Sequence, residues 1–249
     1  MMTGNLVIEQ FEGWARVRID REAKRNALDR ATRTALTGFI ANLPHTVRAV
    51  VLTGTGGSFC AGLDLKERAA DRQAGLPDTA GQEAIALNIA MREHRAIFIA
   101  AVNGLALGGG MTLVNCCDLA LAASDAEFGT PEIAFATYAS MAGPTGQMLI
   151  NRKRAAWMLL NPDRLSAQTA CDWGLINEVT EPRALQAAAE ALASRLAGFD
   201  GDALAETKSA LNAIPAMNQD WEAAMQYGQT VNTAIRSKAG PANPEWKRR

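Results

Sequence analysis

Three glycines in a row, Gly108 to Gly110, stand in the stretch Ala106-Leu-Gly-Gly-Gly-Met-Thr-Leu-Val-Asn-Cys-Cys-Asp118, between an apolar strand and what reads as a helix. Residues without a Cβ let backbone approach a bound group closely, and the first N–H groups of a helix have no partner inside it. The helix dipole adds partial positive charge at the same place. Such a junction favours an anion, either a phosphate or a carbonyl oxygen that becomes an enolate, and the glycines alone do not choose. The spacing is not Gly-x-Gly-x-x-Gly and no Lys-Ser/Thr follows, so neither nucleotide signature is met. A second junction of this kind, Gly54-Thr-Gly-Gly-Ser-Phe-Cys-Ala-Gly-Leu-Asp-Leu-Lys66, leaves N–H groups near Gly62 and Leu63 free at the start of a short helix carrying Asp64 and Lys66. Glu132 follows a proline in a mostly apolar neighbourhood, and Lys24 and Arg25 form a basic pair in a loop.

The elements that must position these residues follow from the patterning. Leu6 to Glu12 and Trp14 to Ile19 alternate around Gly13 and predict a hairpin. Asp29 is placed to cap a helix running to about Asn42. Val47 to Thr53, Ile97 to Val102 and Leu119 to Ala123 read as apolar strands, with a helix over Gly81 to His94 and a loop over Gln73 to Thr79. From about Met141 the pattern is helical, with stops near Pro162, Gly174, Pro182 and Pro215. The segment Pro215 to Arg236 reads as an amphipathic helix that packs on a core or a neighbouring subunit, and Lys238 to Arg249 as a fraying tail.

With 249 residues and 48% hydrophobic content, the chain can bury a sizeable core, as one large domain or one domain with an appendage. The division expected is a core over residues 1–190 and a helical region over 191–249. Twenty-five basic and 26 acidic residues give a net charge of −1, which leaves no footprint for nucleic acid or an anionic membrane. Cys60, Cys116, Cys117 and Cys171 fit neither a disulfide framework nor a zinc spacing, so reduced, mostly buried thiols are expected. No His, Cys or carboxylate cluster points to a metal, and no apolar run is long enough to span a bilayer. The expected location is cytoplasmic.

In order and spacing, Lys24-Arg-Asn-Ala-Leu28, Val51-Leu-Thr-Gly54, Phe59-Cys-Ala-Gly-Leu-Asp-Leu65, Ile99-Ala-Ala-Val-Asn-Gly104, Ala106 to Gly110, Cys117-Asp-Leu119 and Phe128-Gly-Thr-Pro-Glu-Ile133 resemble the crotonase, or enoyl-CoA hydratase/isomerase, family over nearly the whole chain. The resemblance implies an α/β spiral of repeated ββα units, a helical C-terminal part used in trimer contacts, and an acyl-CoA thioester as substrate. No separate cofactor is implied, because CoA is part of the substrate. The assembly expected is a homotrimer or a dimer of trimers. By motif matching, the thioester oxygen is held by the N–H groups of Leu63 and Gly109, and the CoA runs past Ala61, Asp64, Leu65 and Lys66. Two preorganised donors stabilise an enolate without waiting for solvent to reorganise.

The departures from the family pattern decide the chemistry expected. A hydratase of this family carries two glutamates, and the first position here is Thr112, three residues beyond Gly109 and on its helix face. A threonine hydroxyl can hold a water but is no general base near neutral pH. The second position keeps Glu132, a candidate base because apolar surroundings raise a carboxyl's pKa. Thr137-Tyr-Ala-Ser-Met-Ala-Gly-Pro-Thr-Gly146 replaces the usual loop of the acyl pocket, where Tyr138 and Ser140 could donate hydrogen bonds to substrate. The expectation is an isomerase that shifts a 3-enoyl-CoA double bond to the 2-position with Glu132 alone. The alternatives are a hydratase with a variant site, another enolate reaction such as decarboxylation or thioester hydrolysis, or a weakly catalytic acyl-CoA-binding oligomer.

Overall fold

Alternation around Gly13 produces the hairpin it predicts in the computed structural model, which describes residues 2–216 and 220–238. A short strand, β1 (Met2–Thr3), pairs with β2 (Leu6–Phe11), and β2 pairs antiparallel with β3 (Trp14–Ile19), Leu6 opposite Ile19. Gly13 takes a φ of +76° in the turn, which glycine reaches without strain. The Asp29 carboxylate then accepts from Thr32 N–H at 2.8 Å and starts α1 (Arg30–Ala41), whose Leu36 and Ile40 are buried.

From there one unit recurs three times: a strand of a large sheet, a short strand of a second sheet, and a helical stretch. The first is β4 (Ala49–Gly54), β5 (Ser58–Cys60), α2 (Leu65–Gln73) and α3 (Ala80–Glu93). The second is β6 (Ile97–Val102), β7 (Leu105–Leu107) and α4 (Gly109–Cys116). The third is β8 (Leu119–Ala123), β9 (Glu127–Gly129), a 3-10 turn over Pro131–Phe135, and α5 (Ala142–Leu149). Every residue of β4 and β6 is buried, as parallel strands covered on both faces require, and this is why those runs are unbroken in apolar residues. Because each unit steps from one sheet to the other before its helix, the short strands end beside one another, and their exits carry the two glycine-rich junctions.

The rest is less purely helical than the sequence predicts. Between α6 (Arg152–Leu160) and α7 (Ala167–Trp173) lies β10 (Leu165–Ser166), and β11 (Glu178–Thr180) precedes α8 (Leu185–Ala197). The large sheet is ordered β1-β2-β3-β4-β6-β8-β11 and the small one β10-β9-β7-β5. Two- and three-residue strands are too short to show a period, so only pairing defines them. Pro215 falls within α9 (Gly201–Ala216), and the next helix, α10, is Trp221–Lys238, so the predicted single helix from Pro215 is interrupted at Asp220, with residues 217–219 outside those described. The tail predicted to fray, from residue 239 onward, also lies outside the described residues.

A buried clamp fixes α9 to the spiral. Lys208, only 2% exposed, donates from Nζ to Met91 O and Ala96 O, each at 2.9 Å, and pairs with Asp118 at 2.9 Å. Burial lowers the lysine's pKa and raises the aspartate's, and their mutual attraction opposes both shifts. Among the described residues no helix is long and apolar enough to cross a membrane, and no group of three potential metal ligands occurs. All four cysteines are free thiols; burial pushes Cys60 and Cys116 up to about 12.

Candidate active site

Gly62 and Gly108 hold the two glycine-rich exits in backbone that other residues rarely adopt, with φ of +92° and +53°. The exits touch. A methyl group built on Gly62 would lie 2.9 Å from Leu107 O and 3.0 Å from Gly109 N, and one on Gly109 would lie 3.3 Å from Leu63 N. The bridge between Leu28 and Leu63 uses Leu28 N–H to Gly62 O and Asp64 N–H to Leu28 O, which leaves the Leu63 N–H over. Gly109 opens α4, so its N–H has no helical partner. Neither N–H has an acceptor among the described residues.

Glu132 reaches this point from the third unit. Pro131 starts its 3-10 turn, Ala136 closes it in the left-handed region at φ +52°, and Thr137 clamps the Glu132 carbonyl with both its N–H and its Oγ1 at 3.1 Å. A methyl group on Gly108 would lie 2.6 Å from Glu132 Oε1, so the carboxylate rests against the glycine that precedes the Gly109 donor. Glu132 Oε2 is buried and has no hydrogen-bond partner. Burial pushes the carboxyl up to about 7, opposed only by the residue's own N–H. The activity of a base poised there should rise with pH through a single limb centred near 7 and level off above it. The sign follows from the carboxylate being the working form, its fraction falling as pH drops below the folded pKa. A pH–rate profile of kcat/KM checks this, and a limb centred below 5 would remove this carboxylate as the base.

Leu63, Gly109, Thr112 and Glu132 all line one cavity of about 1340 Å³. Thr112 is fully buried, and its hydroxyl donates back to Gly108 O at 3.2 Å. Ala61, Leu65 and Tyr138 line the cavity, and Asp64 and Lys66 do not. Asp64 caps α2, accepting from Lys66 and Glu67 N–H, and pairs with Arg21 at 3.1 Å; against the effect of burial, these partners hold its carboxyl below the usual range. Lys66 is exposed on the first turn of α2. Of the loop pair, Arg25 lines the cavity from a left-handed φ of +51°.

Several lining residues were not singled out from sequence. Arg68 is tied to Asp78, Arg164 to Glu127, and Asn232 arrives from α10, more than a hundred residues after the glycines. Their signal was absent because only the folded chain brings them to the cavity. Of the other lining carboxylates, Glu127 is neutralised by Arg164 and Asp163 is exposed, which leaves Glu132 as the one that is desolvated and unpaired.

The chain is similar to known proteins over nearly its whole length. The family model described as enoyl-CoA hydratase/isomerase matches residues 9–240. A mevalonyl-coenzyme A hydratase of Aspergillus fumigatus is 30% identical, covering 92% of this chain and 89% of its own. A crotonyl-CoA hydratase of Syntrophomonas wolfei is 32% identical, covering 89% and 85%. Among solved structures, an enoyl-CoA hydratase of Mycobacterium smegmatis superimposes with a TM-score of 0.80 at 30% identity, over 98% of this chain and 95% of that one. An enoyl-CoA hydratase/isomerase of Xanthobacter autotrophicus reaches 0.85 at 27% identity, over 97% and 90%.

Proposed function

The chain belongs to the enoyl-CoA hydratase/isomerase family, and from that premise we propose that it moves the double bond of a 3-enoyl-CoA to the 2-position through a thioester enolate. The observation that carries the reading is one desolvated carboxylate, Glu132, against Gly108 and next to two N–H groups without acceptors. Glu132 takes the proton from C2, and the C–H electrons delocalise from C2 into the thioester oxygen. Leu63 and Gly109 N–H groups hold that oxygen as charge builds on it. The protonated Glu132 then returns the proton at C4: the C3–C4 π electrons form the new C4–H bond, the C1–C2 enolate π electrons move to C2–C3, and the oxygen's electrons restore the thioester carbonyl, leaving Glu132 a carboxylate again. Each proton removed is given back, so one carboxyl suffices and no cofactor beyond the substrate's own CoA is needed. The thioester's CoA end lies along Ala61, Leu65 and Arg25, and the four free thiols suit a reducing cytoplasm.

A second reading is favoured by the relatives, since the mevalonyl-coenzyme A and crotonyl-CoA enzymes are both named hydratases. Under it Glu132 alone activates water toward a 2-enoyl-CoA. Steady-state turnover on 3-enoyl-CoA and 2-enoyl-CoA of equal chain length separates the two. The expected result is isomerisation at least about a hundredfold faster than hydration, the size of one acid–base contribution; hydration at the faster rate replaces the isomerase with the hydratase.

We also propose a homotrimer or a dimer of trimers. Trp157 and Leu160 on α6, Leu211 on α9 and Tyr227 on α10 are 59–71% exposed, large apolar side chains that subunit contacts would cover. Light scattering at micromolar protein is expected to give three or six times the 26.5 kDa chain mass. A monomeric mass would remove this assembly.

A further inference from the structure

The wall of the cavity formed by Thr137 to Ser140 and α10 is polar in a specific way. Gln147 Nε2 donates to Tyr138 Oη at 3.0 Å and to Gly143 O at 3.2 Å. A carbonyl only accepts, so the second bond fixes which end of the amide faces the phenol, and Tyr138 Oη is the acceptor. Gln229 Nε2 on α10 donates in the same sense to Ser140 Oγ at 3.1 Å. Each hydroxyl thus has its oxygen engaged and its single hydrogen left to give, with no acceptor for it among the described residues. Asn232, 8% exposed, accepts from Tyr138 N–H through Oδ1 at 3.3 Å, which turns its NH₂ away from that backbone.

Tyr138, Ser140 and Asn232 all line the cavity that holds Glu132. They also belong to a rigid wall. Methyl groups on Gly143 and Gly228 would come within 2.6 Å of Tyr138 Oη and 2.4 Å of Ser140 O, so α5 and α10 pack directly onto the loop. Tyr138 keeps its proton, because burial raises the phenol above its ordinary value. A cavity wall meant for a plain hydrocarbon tail would leave three donors facing apolar atoms, which costs binding free energy for each one desolvated. Among the described residues that line the cavity at this wall, none is Lys or Arg. Of the cationic residues lining the cavity, Arg68 and Arg164 are already paired with carboxylates, and Arg25 belongs to the loop whose carbonyl holds Ala61 N–H, on the CoA side. A carboxylate on the tail would find no counter-charge among the described residues lining this wall.

Resting on the acyl-CoA reading above, we propose that this wall selects a thioester whose acyl chain carries a neutral oxygen function, a hydroxyl or a ketone, whose oxygen accepts from Tyr138 Oη–H, Ser140 Oγ–H and Asn232 Nδ2–H. The selection is independent of the proton transfer and is read by binding alone. Isothermal titration calorimetry of the full-length protein with hexanoyl-CoA, its 4-, 5- and 6-hydroxy derivatives and the six-carbon dicarboxylic mono-thioester tests it.

One hydroxylated thioester is expected to bind about tenfold or more tighter than hexanoyl-CoA, the difference a buried substrate hydroxyl makes when its partners are preorganised. In Tyr138→Phe or Ser140→Ala the advantage is expected to shrink to about twofold, with the fold checked by circular dichroism. Equal or weaker binding of every hydroxylated thioester, an advantage untouched by both variants, or a preference for the dicarboxylic thioester overturns the proposal while leaving the acyl-CoA reading in place. Binding of none of the thioesters more tightly than free CoA overturns both.

Discussion

Glu132→Gln is expected to lower isomerisation of 3-enoyl-CoA by about 10²- to 10⁴-fold while acyl-CoA still binds. The substitution keeps the side chain's shape and removes its basicity. The carboxylate stands against Gly108 with one oxygen buried and unpartnered, so no neighbouring charge or donor shares its task. Exchange of the α-protons of a saturated acyl-CoA with deuterated solvent is expected to fall by the same factor, since that exchange uses the base but not the double bond. The pH limb near 7 should vanish with the carboxyl that produces it. Full activity in Glu132→Gln would move the base elsewhere, and Tyr138 would be the next group to test.

Gly62→Ala is expected to be nearly as damaging for a different reason. The position has a φ of +92°, and the added methyl would meet Leu107 O at 2.9 Å and Gly109 N at 3.0 Å, both of them backbone atoms. Something in the contact between the two glycine exits must shift, and the Leu63 and Gly109 N–H groups shift with it. Losing one well-placed donor at a developing oxyanion costs about 3 kcal/mol, or roughly a hundredfold in rate. Because Glu132 lies on another unit, its limb near 7 should stay where it is while the plateau falls. A hundredfold loss with an unmoved limb separates donor geometry from base strength. A rate within threefold of the parent would place the oxyanion elsewhere.

The two glycine exits were legible from sequence because their requirement is compositional: positive φ and contact too close for a Cβ leave few other residues possible. Strands β6 and β8 were legible for a related reason, since burial on both faces writes an unbroken apolar run. The contact between Glu132 and Gly108 lay 24 positions apart in the chain and followed only from the resemblance. Thr112 was rightly placed on the face of Gly109, but its hydroxyl turned to the helix backbone, a choice made between acceptors that no spacing encodes. Asp64 was read as a neighbour of CoA, and its carboxylate also caps α2 and pairs with Arg21, a local role the sequence reading did not include. Strand β11 and Asn232 had no signal at all, because a three-residue strand has no period and a single Asn on a helix is unremarkable until the helix docks.

Lys208 gives the order in which this chain can finish folding during synthesis. Its ammonium fits among Met91 O, Ala96 O and Asp118, and the first two lie 117 and 112 positions earlier. At typical elongation rates of about 5–20 residues per second, the socket, complete once Asp118 is made 90 positions earlier, waits roughly 4–18 s for the side chain that fills it. Throughout that interval the Asp118 carboxylate has Phe98 N–H as a partner but no ammonium, and solvent is the partner open to the two carbonyls. Arrival of α9 expels that water and exchanges it for one buried ion pair and two hydrogen bonds, which makes the late helix the seal of a spiral wound before it.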